Sequence, residues 1–297
     1  LEQAQKINAA YTADDLRQFA KTNSRELYDL GANMDWQKEV LRTALTHNHN
    51  ININGGNTRT TYMASLSYMD REGIVKGTSR ENINIRSLVS TKVLKDRLNV
   101  SVGVNAVNGK SIGVSMGNEG ASVVDAMNYY SPTIPVRNED GSCTIGNGSK
   151  NYNPLAMIEE NPSETEFKRT QIIGKASLEI IEGLTWNANY SYLDSQHTYS
   201  GYNTRKSQLE GLSSKNGQAS RNTYFGKEHT FETYGNFERT FADAHKVNLM
   251  AGYSWEERKT GDGFGLTVHD FYNDDLLWNN LTYASTIDGI PAVQSGT

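Results

Sequence analysis

Cysteine, proline and long apolar runs are all scarce in this 297-residue chain. The single cysteine, Cys143, can close no internal disulfide, and it excludes a zinc site built on several thiolates. No run approaches the ~20 consecutive apolar residues that a membrane helix needs. With a mean hydropathy of -0.63 and 21% charged residues, a helical membrane protein is excluded. A basic surplus is missing too. The net charge is -5, which argues against a nucleic-acid binder. There is no initiator methionine, signal peptide or lipidation motif. The chain opens at Leu1 within a polar segment and closes on "DGIPAVQSGT", so it reads as an excised piece of a longer protein. What is abundant is Gly (26) and Tyr (16), with frequent Asn and Thr, against only 5 Pro. That mixture suits strands, tight turns and wet surfaces.

Residues 1–46 read as a partly helical segment. In "YTADDLRQFAKT", Thr12 precedes Asp15 by three, a capping-box start. In "DWQKEVLRTAL", Trp36, Val40 and Leu41 recur at helical spacing. After His47 the period changes to two and stays there. Eight strands are expected, at about 47–54, 58–70, 80–94, 98–108, 166–181, 184–197, 227–241 and 246–259. On the second, Tyr62, Ala64, Leu66 and Tyr68 share one face, and Met63, Ser65, Ser67 and Met69 the other. On the fourth, Leu98, Val100, Val102, Val104 and Ala106 alternate with Asn99, Ser101, Gly103 and Asn105.

The connections are sorted by length. Short ones fall at Gly55-Gly56-Asn57, Lys95-Asp96-Arg97, Glu182-Gly183 and Asp243-Ala244-His245. Long ones cover 71–79, 109–165, 198–226 and 260–297. Transmembrane barrels have this asymmetry, and a tilted spanning strand needs ~9–11 residues. Sandwich strands average about five or six, roughly half the length expected here. Tyr192 and Trp255 lie late in their strands and Trp186 just past a short turn, as in the two aromatic girdles of a barrel. Arg239 shares the apolar face with Phe231 and Phe237. It lies four residues before the turn at Asp243, where a lipid-facing Arg costs only ~0–1 kcal/mol. The fold expected is therefore all-β, an antiparallel transmembrane barrel fragment of about eight long strands in hairpins, with long, partly helical loops. Residues 1–46 would form a first extracellular loop, 47–259 the strands with their loops, and 260–297 the start of a further loop.

Catalytic and metal motifs are weak. Asp140-Gly141 in "NEDGS" is a turn rather than a calcium loop, which needs a longer carboxylate set. Asp274-Asp275 reads as a helix start or a solvated face. "GDGFGL" at 261–266 lacks the G-x-G-x-x-G spacing and reads as a mobile loop. Gly109-Lys110 has no Walker context, no G-x-S-x-G occurs, and the pairs Glu159-Glu160 and Glu256-Glu257 are merely adjacent. An enzyme is not expected, and no cofactor is called for. A carbohydrate-active enzyme would need two carboxylates converging in a cleft.

"DWQKEVLRTALTHNHNININGGNTRTTYMASLSYMDREGIVKG" resembles the SusC-like (SusC/RagA) family of TonB-dependent outer-membrane transporters of Bacteroidota. The resemblance is carried by Asp35-Trp36-Gln37, Arg42-Thr43-Ala44, His47-Asn48-His49-Asn50, Gly55-Gly56-Asn57, Ser65, Tyr68 and Glu72-Gly73-Ile74-Val75 in order and spacing. "NYYSPTIPVRNEDGS" followed by "YNPLAMIEE" resembles that family's long loop. The resemblance implies import of a glycan or peptide across the outer membrane. The strands would lie in outer-membrane lipid with the long loops extracellular. A SusD-like surface lipoprotein would be the partner, and TonB would engage an N-terminal part that is absent here. His47 and His49, two apart on one strand face, suggest two imidazoles on a metal but lack a third ligand. The resemblance makes them a polar lumen-side pair. The expected substrate contacts are loop aromatics and their polar neighbours, Tyr129, Tyr130, Tyr199, Tyr202, Asn203 and Arg205, because rings stack on sugars while amides and guanidinium meet hydroxyls. The alternative is a soluble or surface β-rich binding or adhesion module, with bulky apolar residues packed between two sheets.

Overall fold

A computed structural model describes residues 12–114, 122–147, 151–209, 211–242, 245–289 and 291–294. Eight long strands run as β1 (Thr46–Gly56), β2 (Thr60–Glu72), β3 (Ser79–Val93), β4 (Leu98–Val114), β5 (Pro162–Ile181), β6 (Leu184–Asn203), β7 (Gln218–Phe241) and β8 (His245–Phe271). Each pairs antiparallel with the next in sequence order, and the short β9 (Ala284–Ile287) and β10 (Ala292–Gln294) both pair with β8. The result is one ten-stranded meander that does not close among the described residues.

The two-residue period decides what each face carries. In register, Ile51 meets Leu66, Leu66 meets Ile85 and Val89 meets Val102. Further on, Val102 meets Gly174 and Tyr190 meets Phe231. Directly paired residues share a face, so these rows form one continuous apolar band across the sheet. No second sheet covers it. Ile51 is 60% exposed, Val102 54% and Leu249 61%. In a β-sandwich such residues would be the core. Polar groups on the band are paired among themselves. The Trp186 indole N–H donates to Thr233 Oγ1 (2.9 Å), whose hydroxyl donates to the Asn187 carbonyl (3.0 Å), and the Tyr190 hydroxyl meets His229 Nδ1 (2.8 Å). Leu98 to Ala106 covers ~26 Å at ~3.3 Å per residue, or ~20 Å of height at a ~40° tilt, which fits within a barrel's ~25 Å apolar band.

The larger buried core lies in the connections. Helix α1 (Ala13–Thr22) starts with the expected box: Thr12 Oγ1 accepts from the Asp15 N–H, and the Asp15 carboxylate accepts from the Thr12 N–H. Asp35 caps α2 (Trp36–Val40). Two further helices, α3 (Val123–Tyr129) and α4 (Pro154–Glu160), sit in the long β4–β5 connection. Trp36, Val40, Met127, Tyr130, Met157 and Leu209 pack from four chain segments into a loop-built cap at the long-loop end. A second, smaller core gathers Tyr202, Ala219, Val268 and Phe271 where β6, β7 and β8 run on past the apolar band.

The strands outrun the expected limits at that end. Residues 109–114, 162–165, 198–203, 218–226 and 260–271 are strand rather than loop. Once a strand leaves the apolar band both faces turn polar or join a local core, and the alternation that marked it fades. "GDGFGL" is accordingly part of β8. A side chain at Gly263 would collide with the Thr223 carbonyl, so the glycine admits close strand approach. The segment from 260 onward begins as β8, not as a loop. Of the turn expected at 243–245, Asp243 and Ala244 lie outside the described residues, as do residues 1–11. Asp274-Asp275 starts no helix. Asp274 accepts from the Tyr202 hydroxyl (2.8 Å) and from Arg205 (3.1 and 3.3 Å), tying two connections together.

Candidate functional site

Two surfaces at the long-loop end carry chemistry. The first is a cleft of about 640 Å³ in the cap, between the first helices and α3, bordered by Asn33, Met34, Trp36, Met127, Asn128 and Tyr129. Its floor is rigid. Trp36 and Tyr130 meet edge to face at 4.9 Å, the Trp36 indole donates to the Ser131 carbonyl, and the Tyr130 hydroxyl donates to the Thr144 carbonyl. Burial pushes the Tyr130 phenol up to about 12, so it stays a neutral donor. Tyr129, next in the chain, is 84% exposed at the cleft.

The cap is sewn to the β6–β7 connection by a buried amide network. Asn161 Oδ1 accepts from Asn203 Nδ2 (2.8 Å) and Ser207 Oγ (2.6 Å), and the Thr204 N–H donates to the Glu160 carbonyl (2.8 Å). Asn153 caps α4 and donates to the carbonyls of Val136 and Thr144. Arg137 holds Glu159 through one nitrogen to both carboxylate oxygens (2.7 and 2.8 Å), while Asp140 accepts from Ser142 and closes the Asn138–Ser142 turn. Glu160 behaves differently from its neighbour. Burial, then the Glu159 charge, pushes its carboxyl up to about 7, and its Oε2 finds no partner. Burial likewise lifts the Cys143 thiol to about 11, which keeps it unreactive.

The second surface is the polar face of the sheet. Its last rows before the loops run Arg71–Arg80–Ser111–Thr165–Tyr199–Asn222 and Met69–Asn82–Gly109–Phe167–His197–Tyr224. Gly109 leaves room for Phe167 to lie across β4, since a Cβ there would meet the ring at 2.6 Å. Phe167 thus reaches β3, with the Arg80 guanidinium 4.7 Å above its ring centre and His197 stacked beside it at 6.4 Å.

The six expected contact residues do not come together as one set. Tyr130, Tyr202 and Asn203 are 3%, 0% and 4% exposed and build the cap and the second core. Tyr129 is at the cleft, Tyr199 is on the polar wall, and Arg205 is exposed beside Asp274. Phe167, His197, Arg71 and Arg80 carry no joint signal in the sequence, because each stands on a different strand and only the summed register unites them. The histidines of β1 require a correction. His49 lies opposite Tyr68 and stacks with it at 6.4 Å, in the row next to Ile51 and Leu66, so both histidines are on the apolar face at its border and not on the polar one. No three His, Cys, Asp or Glu residues gather into a metal-holding group among the described residues.

A two-faced antiparallel meander, apolar band exposed on one side and amide-rich wall on the other, with short turns at one end and elaborated loops at the other, is the wall of a transmembrane-type β-barrel. No family model matches the chain. It is 26% identical over 280 residues to TonB-dependent receptor P3 of Formosa agariphila, covering 91% of this chain and 27% of that protein. It is 34% identical over 127 residues to TonB-dependent receptor SusC of Bacteroides thetaiotaomicron, 42% of this chain and 12% of that protein. The solved RagAB peptide transporter superposes on 90% of this chain and 30% of its own with a TM-score of 0.73 at 17% identity. By sequence and by fold the chain resembles TonB-dependent receptors, SusC among them, and it spans only about a quarter of the length of the curated receptors P3 and P26 that it matches.

Proposed function

We propose that this chain is a section of the barrel of an outer-membrane importer. The apolar band faces lipid, the amide-rich wall faces the lumen, and the cap and long hairpins stand outside the cell. In this reading the complete protein takes up a glycan or a peptide, docks a SusD-like lipoprotein on its long-loop side, and draws on TonB for passage, with no covalent chemistry. The observation that carries the proposal is the uncovered apolar band on a sheet whose buried cores, among the described residues, lie in its connections and in the strand extensions beyond that band. A soluble binding module would hide that band between two sheets. Similarity to SusC and to the RagAB transporter supports uptake as the activity. Within it, Tyr129, Tyr199 and Arg205 are the ligand contacts, while Tyr130, Tyr202 and Asn203 hold the loops that present them. The test is deletion of the encoding gene in its own bacterium, followed by growth on a panel of glycans and peptides as sole carbon source. Growth is lost on one substrate class and is restored by the intact gene only when TonB is present. Unchanged growth on every substrate, or restoration without TonB, would overturn the reading.

A further inference from the structure

The polar wall carries an uncompensated charge that uptake of a neutral ligand does not explain. Arg71 and Arg80 are direct cross-strand partners on β2 and β3, both exposed. Like charges placed opposite one another destabilise a sheet. A carboxylate nearby would relieve this, yet the sequence neighbours Asp70, Glu72 and Glu81 are all on the other face. Glu72 pairs with Arg42, Glu81 accepts from the Tyr68 hydroxyl, and Glu164 pairs with Lys110. Neither Arg71 nor Arg80 has an ion-pair partner among the described residues. Beside the two guanidinium groups lies a flat aromatic run. Phe167 bridges from β5 across Gly109 to Arg80, His197 stacks on it, and Tyr224, 48% exposed, continues the row on β7. Ser111 and Thr165 continue the arginines' row with hydroxyl side chains.

We propose that this row is a binding subsite for an acidic sugar, a ring bearing a carboxylate or sulfate, whose anion bridges Arg71 and Arg80 while its apolar face lies on the exposed rings beyond them, His197 and Tyr224, since Arg80 already covers Phe167. The anion supplies the missing counter-charge, and guanidinium groups grip such groups through paired N–H donors. The aromatic run favours a sugar over an extended acidic peptide, because a ring presents a flat face of C–H groups to the His197 and Tyr224 rings. This subsite rests on the importer reading and narrows its substrate to an anionic glycan.

The test uses the complete importer in detergent and measures binding of hexagalacturonate, sulfated dextran oligosaccharide, maltohexaose and hexaglutamate at 50 and 200 mM salt. At least one acidic sugar binds tenfold or more tighter than maltohexaose, and the added salt weakens it. Arg71→Gln/Arg80→Gln weakens it at least tenfold, Tyr224→Ala at least threefold, and Arg71→Lys/Arg80→Lys retains part of the affinity. Removing two repelling charges leaves the strand register intact, and the lysine variant guards against a folding artefact. Acidic sugars bound no better than maltohexaose, equal affinity in the glutamine variant, or a preference for hexaglutamate would each overturn the proposal. None of these results touches the importer reading, which stands or falls on the growth experiment.

Discussion

Glu160 offers a pH-dependent perturbation whose size can be worked out. It ends α4, its carbonyl accepts the Thr204 N–H, and one carboxylate oxygen is buried without a partner at the seam between the cap and the β6–β7 connection. Burial and the Glu159 charge raise its carboxyl from the ordinary 4.5 to about 7, while Lys206, the Gln208 N–H and Arg137 pull the other way. The sign follows from linkage. Below about pH 4.5 the group is protonated whether the seam is closed or open, and the closed seam has its full stability. Between 4.5 and 7 only the open form ionises, so stability falls as pH rises and is flat above 7. At ~1.4 kcal/mol per tenfold change the ceiling is ~3 kcal/mol, and partial solvent screening of a half-buried group brings it to ~1–2 kcal/mol. The assay is amide hydrogen exchange across residues 203–209, corrected for the intrinsic pH dependence of exchange. Protection should fall ~5- to 30-fold from pH 5 to pH 8 in the native chain and stay level in Glu160→Gln. A native chain without the fall, or a Gln variant that keeps it, would refute the reasoning.

Three further outcomes follow from the same packing. Val102→Arg, in the middle of the exposed band, should cost ~2–4 kcal/mol of assembly, whereas Ser101→Arg on the polar face should assemble normally. The fraction of heat-modifiable folded protein on gels checks both. Met157→Ala empties part of the cap core, a loss of ~2–5 kcal/mol that should open the cap to protease while the strands remain resistant. Asn161→Ala strips acceptors from Asn203 and Ser207, each buried, and should raise exchange at 203–209 by an amount corresponding to ~1–3 kcal/mol.

The strands were legible wherever one face is apolar. Leu98 to Ala106 announces β4, but Gly109 to Val114 does not, because beyond the band the pleat no longer sorts polar from apolar. The helices of the cap carry start signals that are easy to pass over in a long connection. Ser122 precedes Asp125 by three and caps α3, and Asn153-Pro154 opens α4. The contact residues were legible only as a composition. Tyr130 and Tyr202 look alike to Tyr129 and Tyr199 in sequence, and only long-range packing, such as Trp36 on Tyr130 or Phe271 on Tyr202, separates scaffold from surface. The Arg71–Arg80–Phe167–His197 row is invisible to any local pattern, since it sums four strand registers.

The orientation of the sheet is the point on which everything else rests, and one measurement addresses it directly. Spin labels placed singly at residues 100 to 105 of β4, in the complete protein in lipid bilayers and on a Cys143→Ser background, report collisions with oxygen and with a water-soluble nickel complex. Labels at 100, 102 and 104 should collide preferentially with oxygen and those at 101, 103 and 105 with nickel. Equal accessibility at both parities, or the reverse alternation, would contradict a lipid-facing apolar band.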